Sequence, residues 1–123
     1  METLKGKGKL AYHTIWVILE CDPGIVEYYQ HCFWKERHIK LARSKHGSHI
    51  SLVRGKEEGI EPGFWERNLD GGELSFFYIP ELVFENNYCW INVWGEELEK
   101  VRTDLGLSPK PPMNFHLTIG RVQ

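Results

Sequence analysis

The stretches His49-Ile50-Ser51-Leu52-Val53-Arg54 and His116-Leu117-Thr118-Ile119-Gly120-Arg121 carry a histidine, a hydroxyl residue and an arginine at the same spacing. In an extended strand side chains alternate between faces, so each copy sets its imidazole and hydroxyl on one side and its aliphatic residues on the other. An unperturbed imidazole titrates near about 6.5, so two of them supply one neutral base and one protonated acid at neutral pH. That combination suits cleavage of a phosphodiester. One histidine activates a water or a ribose hydroxyl and the other protonates the leaving oxygen, each role being worth about 10²–10⁴ in rate. His49, Ser51, His116 and Thr118 are therefore the candidate catalytic residues, with the two hydroxyls donating to the nonbridging oxygens. The scheme calls for neither metal nor cofactor, and the sequence has no clustered carboxylates to hold magnesium.

Further residues are candidates for binding the substrate. His46-Gly47-Ser48 repeats the H-x-S triplet in a glycine loop without apolar flanks, so His46 reads first as a loop residue and second as a phosphate contact. Strict alternation turns Arg54 and Arg121 away from the histidines, which makes them strand-end residues first and phosphate ligands second. Tyr12, Phe64, Trp65 and Tyr78 are candidates for stacking on a base, with core packing as the alternative, and Trp65 in its turn-rich loop is the strongest of them. Gly120, two places beyond Thr118, is expected to admit a substrate backbone. Lys35, Arg37, Lys40, Arg43, Lys45, Arg54 and Lys56 surround the first motif with Glu36 as the one acid among them, giving an expected anion-attracting rim. His13, His31 and His38 lack the motif and read as structural or surface residues.

These groups need a scaffold that brings two distant strands together. A chain of 123 residues fits one domain with a real core, and its three cysteines, without C-x-x-C spacing, read as reduced thiols rather than as a disulfide framework or a zinc site. The formal charge of −2 argues against a long duplex nucleic-acid footprint. No apolar run approaches the about 20 residues of a membrane span, and the lysine-bearing N-terminus is not followed by the apolar segment of a secretory signal, so a cytoplasmic location is expected.

Along the chain, Leu10 to Glu20 reads as a first strand. Asp22-Pro23 opens a helix to about Ile39, with Ile25, Tyr28, Tyr29, Cys32 and Phe33 as its apolar stripe. The first motif follows as a strand, and Gly55 to Gly72 is turn-rich. Glu73 to Ile79 and Tyr88 to Trp94 are strands, with a short strand near Leu82 to Phe84. Gly95-Glu96-Glu97 opens a second helix to about Leu105, capped by Gly106, and Asn114 to Val122 is the last strand. This order gives an α+β domain, residues 1–123, in which a helix precedes each histidine strand.

HISLVRG and HLTIGR, each after a helix, resemble the paired motifs of the 2H phosphoesterase superfamily, and Leu98 to Arg121 is especially similar to that family's second-motif region. The resemblance implies a compact bilobal fold with pseudo-twofold symmetry, antiparallel sheets, two helices and a central cleft. It also implies His49, Ser51, His116 and Thr118 as the catalytic quartet and a small nucleotide as substrate: a 2′,3′-cyclic phosphate, a 2′-5′ linkage or a cyclic oligonucleotide. Serine replaces threonine in the first motif, and the chain stops at Gln123 where relatives continue, so an exposed edge, and a homodimer as well as a monomer, enter the expectations. A module that sequesters a nucleotide or RNA end in the same cleft without turnover is the alternative. A structural protein in which both phrases are only core strands is a third reading.

Overall fold

The computed structural model describes residues 2–13, 16–43, 47–55, 57–59 and 70–122. The first departure from the sequence reading is at the N-terminus, where lysine and glycine alternate. Leu4–Tyr12 forms strand β1, with Lys5, Lys7 and Lys9 exposed and Gly8, Leu10 and Tyr12 buried. It turns back into a separate strand β2, Trp16–Cys21, pairing Leu10 with Leu19 and Tyr12 with Val17, so the single strand expected over Leu10 to Glu20 is two antiparallel ones. The His13 amide donates to the Trp16 carbonyl at 2.8 Å across this reversal. Gly8 lies so near β2 that a Cβ there would stand 2.6 Å from the Glu20 carbonyl oxygen and 2.7 Å from Leu19 Cγ. Backbone cannot give way as a flexible side-chain end can. Gly8→Ala is expected to lower stability by about 1–3 kcal/mol, seen as a lower urea midpoint with an unchanged slope.

Helix α1, Pro23–Arg37, begins as the sequence dictates: Asp22 Oδ1 accepts the Gly24 amide at 2.9 Å and Pro23 occupies the first turn. It ends at His38, whose backbone is left-handed at φ 56° and whose amide donates to the Trp34 carbonyl. Its buried residues are Val26, Tyr29 and Phe33, while Tyr28, expected in the stripe, is exposed. Strand β3 is His49–Arg54, β4 Glu73–Tyr78, β5 Val83–Glu85 and β6 Tyr88–Trp94. Asn86 and Asn87, at φ 53° and 66°, make the two-residue turn from β5 to β6, a conformation that asparagine tolerates. Helix α2, Glu96–Asp104, carries three acids in its first turn, favourable against the helix dipole, and strand β7 is His116–Arg121.

The strands form one antiparallel sheet in the order β4-β1-β2-β3-β7-β6-β5. β4 also pairs with β6 through Phe77↔Trp94 and Tyr78↔Val93, which closes β4-β1-β2-β3-β7-β6 into a six-stranded barrel with β5 on an outer edge. Among the described residues, two helices and antiparallel strands give the expected α+β class; a plainly bilobal arrangement is not what forms. The reason is β4, which gives one edge to each half of the chain and joins them around one core. That core includes Leu10, Leu19, Phe33, Ile50, Phe76 and Leu117. Cys21 and Cys89 lie in it, and burial pushes their thiols up to about 12 and about 11, so both stay protonated. Among the described residues no helix is long and apolar enough to cross a membrane.

A pseudo-twofold relation survives inside the closed sheet. In β2·β3 the register runs Glu20↔His49, Leu19↔Ile50 and Ile18↔Ser51, then slips between Val17 and Ile18. In β6·β7 it runs Asn92↔His116, Ile91↔Leu117 and Trp90↔Thr118, then slips between Cys89 and Trp90. The irregularity falls one residue past the hydroxyl in both, leaving Leu52 and Ile119 without an opposite residue. The pseudo-dyad passes through Ile50↔Leu117, where β3 and β7 meet.

Candidate active site

That central pair determines what the two motifs do to each other. Antiparallel continuation from Ile50↔Leu117 sets His49 opposite Thr118 and Ser51 opposite His116, so each imidazole neighbours the hydroxyl of the other motif. Ile50, Leu52, Leu117 and Ile119 are buried at 0–1% exposure, whereas all four candidate catalytic residues are only half-buried on the opposite face. His49 and His116 are then diagonal neighbours, about 7–8 Å apart with their Cβ atoms somewhat closer. A single phosphate with a hydrogen bond on either side fills such a span.

Both imidazoles are oriented in the same way. His49 Nδ1 donates to the Gly47 carbonyl at 3.2 Å, and His116 Nδ1 donates to the Asn114 carbonyl at 2.9 Å, each two residues upstream. A carbonyl oxygen only accepts, so Nδ1 carries the proton and Nε2 is the basic nitrogen of each neutral ring. An indole edge flanks each ring as well: Trp16 against His49 at 6.3 Å and 62°, Trp90 against His116 at 6.2 Å and 61°. Trp90 is held in turn by its Nε1–H donating to Asn92 Oδ1 at 3.2 Å.

The ground around His116 is a groove of about 550 Å³, lined among others by Arg54, Tyr88, Trp90, Asn92, Met113 and Thr118. A smaller cavity of about 70 Å³ adjoins it, between Ser51, Arg54, Glu57, Pro112 and His116. Burial is the larger cause, and the Arg54 guanidinium a lesser one, that holds the His116 imidazole below its ordinary value; its bond to Asn114 opposes them. His116 is thereby kept neutral. Arg54 thus reaches the groove, contrary to strict alternation. Leu52 and Val53 are buried in succession where the register slips, so the strand rotates and its last residue comes round to the histidine side. The guanidinium Nη1 donates to Met113 Sδ at 3.5 Å and lies 3.9 Å from Glu57.

Arg102 fixes this end of the site. Its side chain is 2% exposed, and it meets the Glu58 carboxylate with Nη1–Oε2 at 2.9 Å and Nη2–Oε1 at 2.6 Å. It also donates to the Leu52 carbonyl at 3.0 Å and, through Nε, to the Ser108 carbonyl at 2.7 Å. One side chain therefore ties α2 to the end of the first motif and to the segment that leads to the second. Glu58 receives the Arg54 amide too, and the Arg102 hydrogen bonds hold its carboxyl below the ordinary value despite burial.

Several expected binding residues belong elsewhere. Tyr12 and Tyr78 are core residues, 6% and 8% exposed, and offer no face to a base. Desolvation, ahead of Asp104 and Asp70, raises the Tyr12 phenol. Arg121 is exposed opposite Tyr88, with its backbone also paired to Ala42, and lines neither of the two cavities at His116. Gly120 admits the protein's own chain rather than a substrate: a Cβ there would stand 2.6 Å from the Ala42 carbonyl oxygen and 2.8 Å from Leu41 Cβ. In the basic run, Arg37 lies over the Phe33 and Phe84 rings and Arg43 pairs with Glu27. His46, Phe64, Trp65, Lys45 and Lys56 fall outside the described residues.

Trp16, Trp90, Asn92 and Arg102 are the site residues that sequence reasoning missed. The first three become visible only once the strand register is known, since nothing local marks them. Arg102 carries a faint signal, a charge directly beside Val101 in the α2 stripe. Comparison of the chain with protein-family models, with curated proteins and with solved structures finds no match.

Proposed function

We propose that the protein is a phosphodiesterase of the 2H type, acting on a small nucleotide by two-histidine acid–base catalysis without a metal ion. The single observation that carries this reading is the Ile50↔Leu117 pairing, which sets two imidazoles, each tied through Nδ1 to a carbonyl two residues upstream, diagonally across one sheet face with a hydroxyl beside each. In this reading the neutral His116 takes the proton of the attacking water or ribose hydroxyl through Nε2, and His49 delivers a proton to the departing oxygen. Ser51 and Thr118 donate to the nonbridging oxygens, and Arg54 adds positive charge where negative charge shifts during transfer. The bilobal 2H architecture is then recast as two halves related by the β3·β7 dyad and sharing β4.

The test is incubation of the protein, in excess chelator, with 2′,3′-cyclic nucleotides, 2′-5′ and 3′-5′ dinucleotides and cyclic di- and trinucleotides, with products resolved by mass spectrometry. Cleavage of at least one class is expected. Recovery of every compound unaltered would turn the reading to a sequestering module.

The pH dependence has a definite sign. His116 must be neutral to act as base, and its imidazole lies below its ordinary value of 6.5, so kcat/KM falls on the acid side through a midpoint below 6.5. A stopped-assay profile with that limb above 7 would contradict the assignment of His116 as base.

A further inference from the structure

The groove beside His116 runs along one strand and changes chemistry along its length. The β6 residues that face it stand at alternate positions, Asn92, Trp90 and Tyr88, and the β5–β6 hairpin extends the wall to Glu85, which pairs with Tyr88. From Asn92, opposite His116, to Tyr88 is four residues, about 13 Å at a rise of about 3.3 Å each. A purine nucleotide laid along this line with its phosphate at His116 carries its base towards Tyr88. The volume of about 550 Å³ is also of the size that holds a small ligand.

The charged residues that line the groove differ along the same line: Arg54 stands at the histidine end and Glu85 at the hairpin end, with Arg121 opposite Tyr88 outside the lining. A nucleotide has the matching polarity, an anionic phosphate at one end and a base edge with N–H donors at the other. Trp90, beside His116, is near enough to the phosphate position to pack on the sugar. Tyr88, 47% exposed one alternation further on, is where a base stacks.

We propose that this groove is a nucleobase subsite selective for guanine, with Tyr88 stacking on the base and the Glu85 carboxylate accepting its two adjacent donors. Guanine presents its ring N1–H and its exocyclic amino group side by side, matching the two oxygens of a carboxylate. Adenine sets a donor beside an acceptor on the corresponding edge, and a pyrimidine falls short of the hairpin. The placement of the phosphate rests on the phosphodiesterase reading; the base preference does not require turnover.

The experiment is titration calorimetry of the whole protein with the 3′- and 5′-monophosphates of guanosine, adenosine, cytidine and uridine, repeated with Glu85→Gln and Tyr88→Ala after a thermal melt shows both folded. In one of the two series the guanosine compound is expected to bind at least tenfold more tightly than the uridine one. Glu85→Gln weakens that compound by about tenfold or more, as befits loss of hydrogen bonds to a charged group, and changes the other three by less than about twofold. Tyr88→Ala weakens both purine compounds by about tenfold. Equal affinity for the four bases in both series, no binding in either, or a guanine preference that survives Glu85→Gln would overturn the subsite. Selective binding by a protein that cleaves nothing would refute the phosphodiesterase reading alone. Cleavage together with equal affinity for the four bases would refute the subsite alone.

Discussion

Replacing Arg102 by alanine is expected to cost about 3–5 kcal/mol of stability, the range for removing one partner of a buried ion pair. The loss has two parts: the Glu58 carboxylate is left without its bidentate partner, and the Leu52 and Ser108 carbonyls lose their donor. Arg102→Lys should recover little, because an ammonium cannot form the planar fork that meets both carboxylate oxygens while also reaching two carbonyls. The pair also predicts the acid sensitivity of the fold. Glu58 is held below its ordinary 4.5, so its contribution is present above that pH and is lost as pH falls through the lower folded value. Urea unfolding at pH 7 and at pH 3 measures both effects. A cost under about 1 kcal/mol for Arg102→Ala would show that the network is incidental to stability.

The second large effect is on catalysis. His116→Ala is expected to slow kcat by about 10²–10⁴. Its side chain faces the groove rather than the core, so the midpoint of unfolding should move little. The structural alternative predicts the reverse pattern, a loss of stability with no change in ligand response. Thr118→Val removes a hydroxyl at nearly constant volume and should act more weakly than loss of the imidazole. Its effect belongs mainly in kcat if the hydroxyl serves charge that develops during transfer.

Most of the scaffold was legible in the sequence because its signals are local. Asp22-Pro23 starts α1, Gly106 follows α2, and the alternation in the two motifs separates core from groove, all through contacts within a few residues. The barrel was not legible, because it closes through Phe77↔Trp94 and Tyr78↔Val93, a pairing that no local pattern announces. The hairpin of β1 and β2 was missed for a related reason. Gly6 and Gly8 resemble a loop by composition, yet they are strand glycines at points of close approach.

For the site the division is similar. The quartet was visible as a repeated phrase, while its meeting across β3·β7 is long-range. Strict alternation turns both Arg54 and Arg121 away from the histidines, but the register slips past Ser51 and past Thr118, and of the two arginines Arg54 lines the groove. Tyr12 and Tyr78 illustrate the opposite error, since an aromatic ring suits a base and a core equally and only burial distinguishes the two.

The measurement that tests the central claim most directly is turnover of the cleaved substrate in chelator by the parent protein, His49→Ala, His116→Ala and the double variant, each shown to be folded. Two histidines acting as one unit predict that both single variants are crippled and that the double variant is hardly slower than the worse single one. A double variant as fast as the parent would contradict the two-histidine mechanism outright.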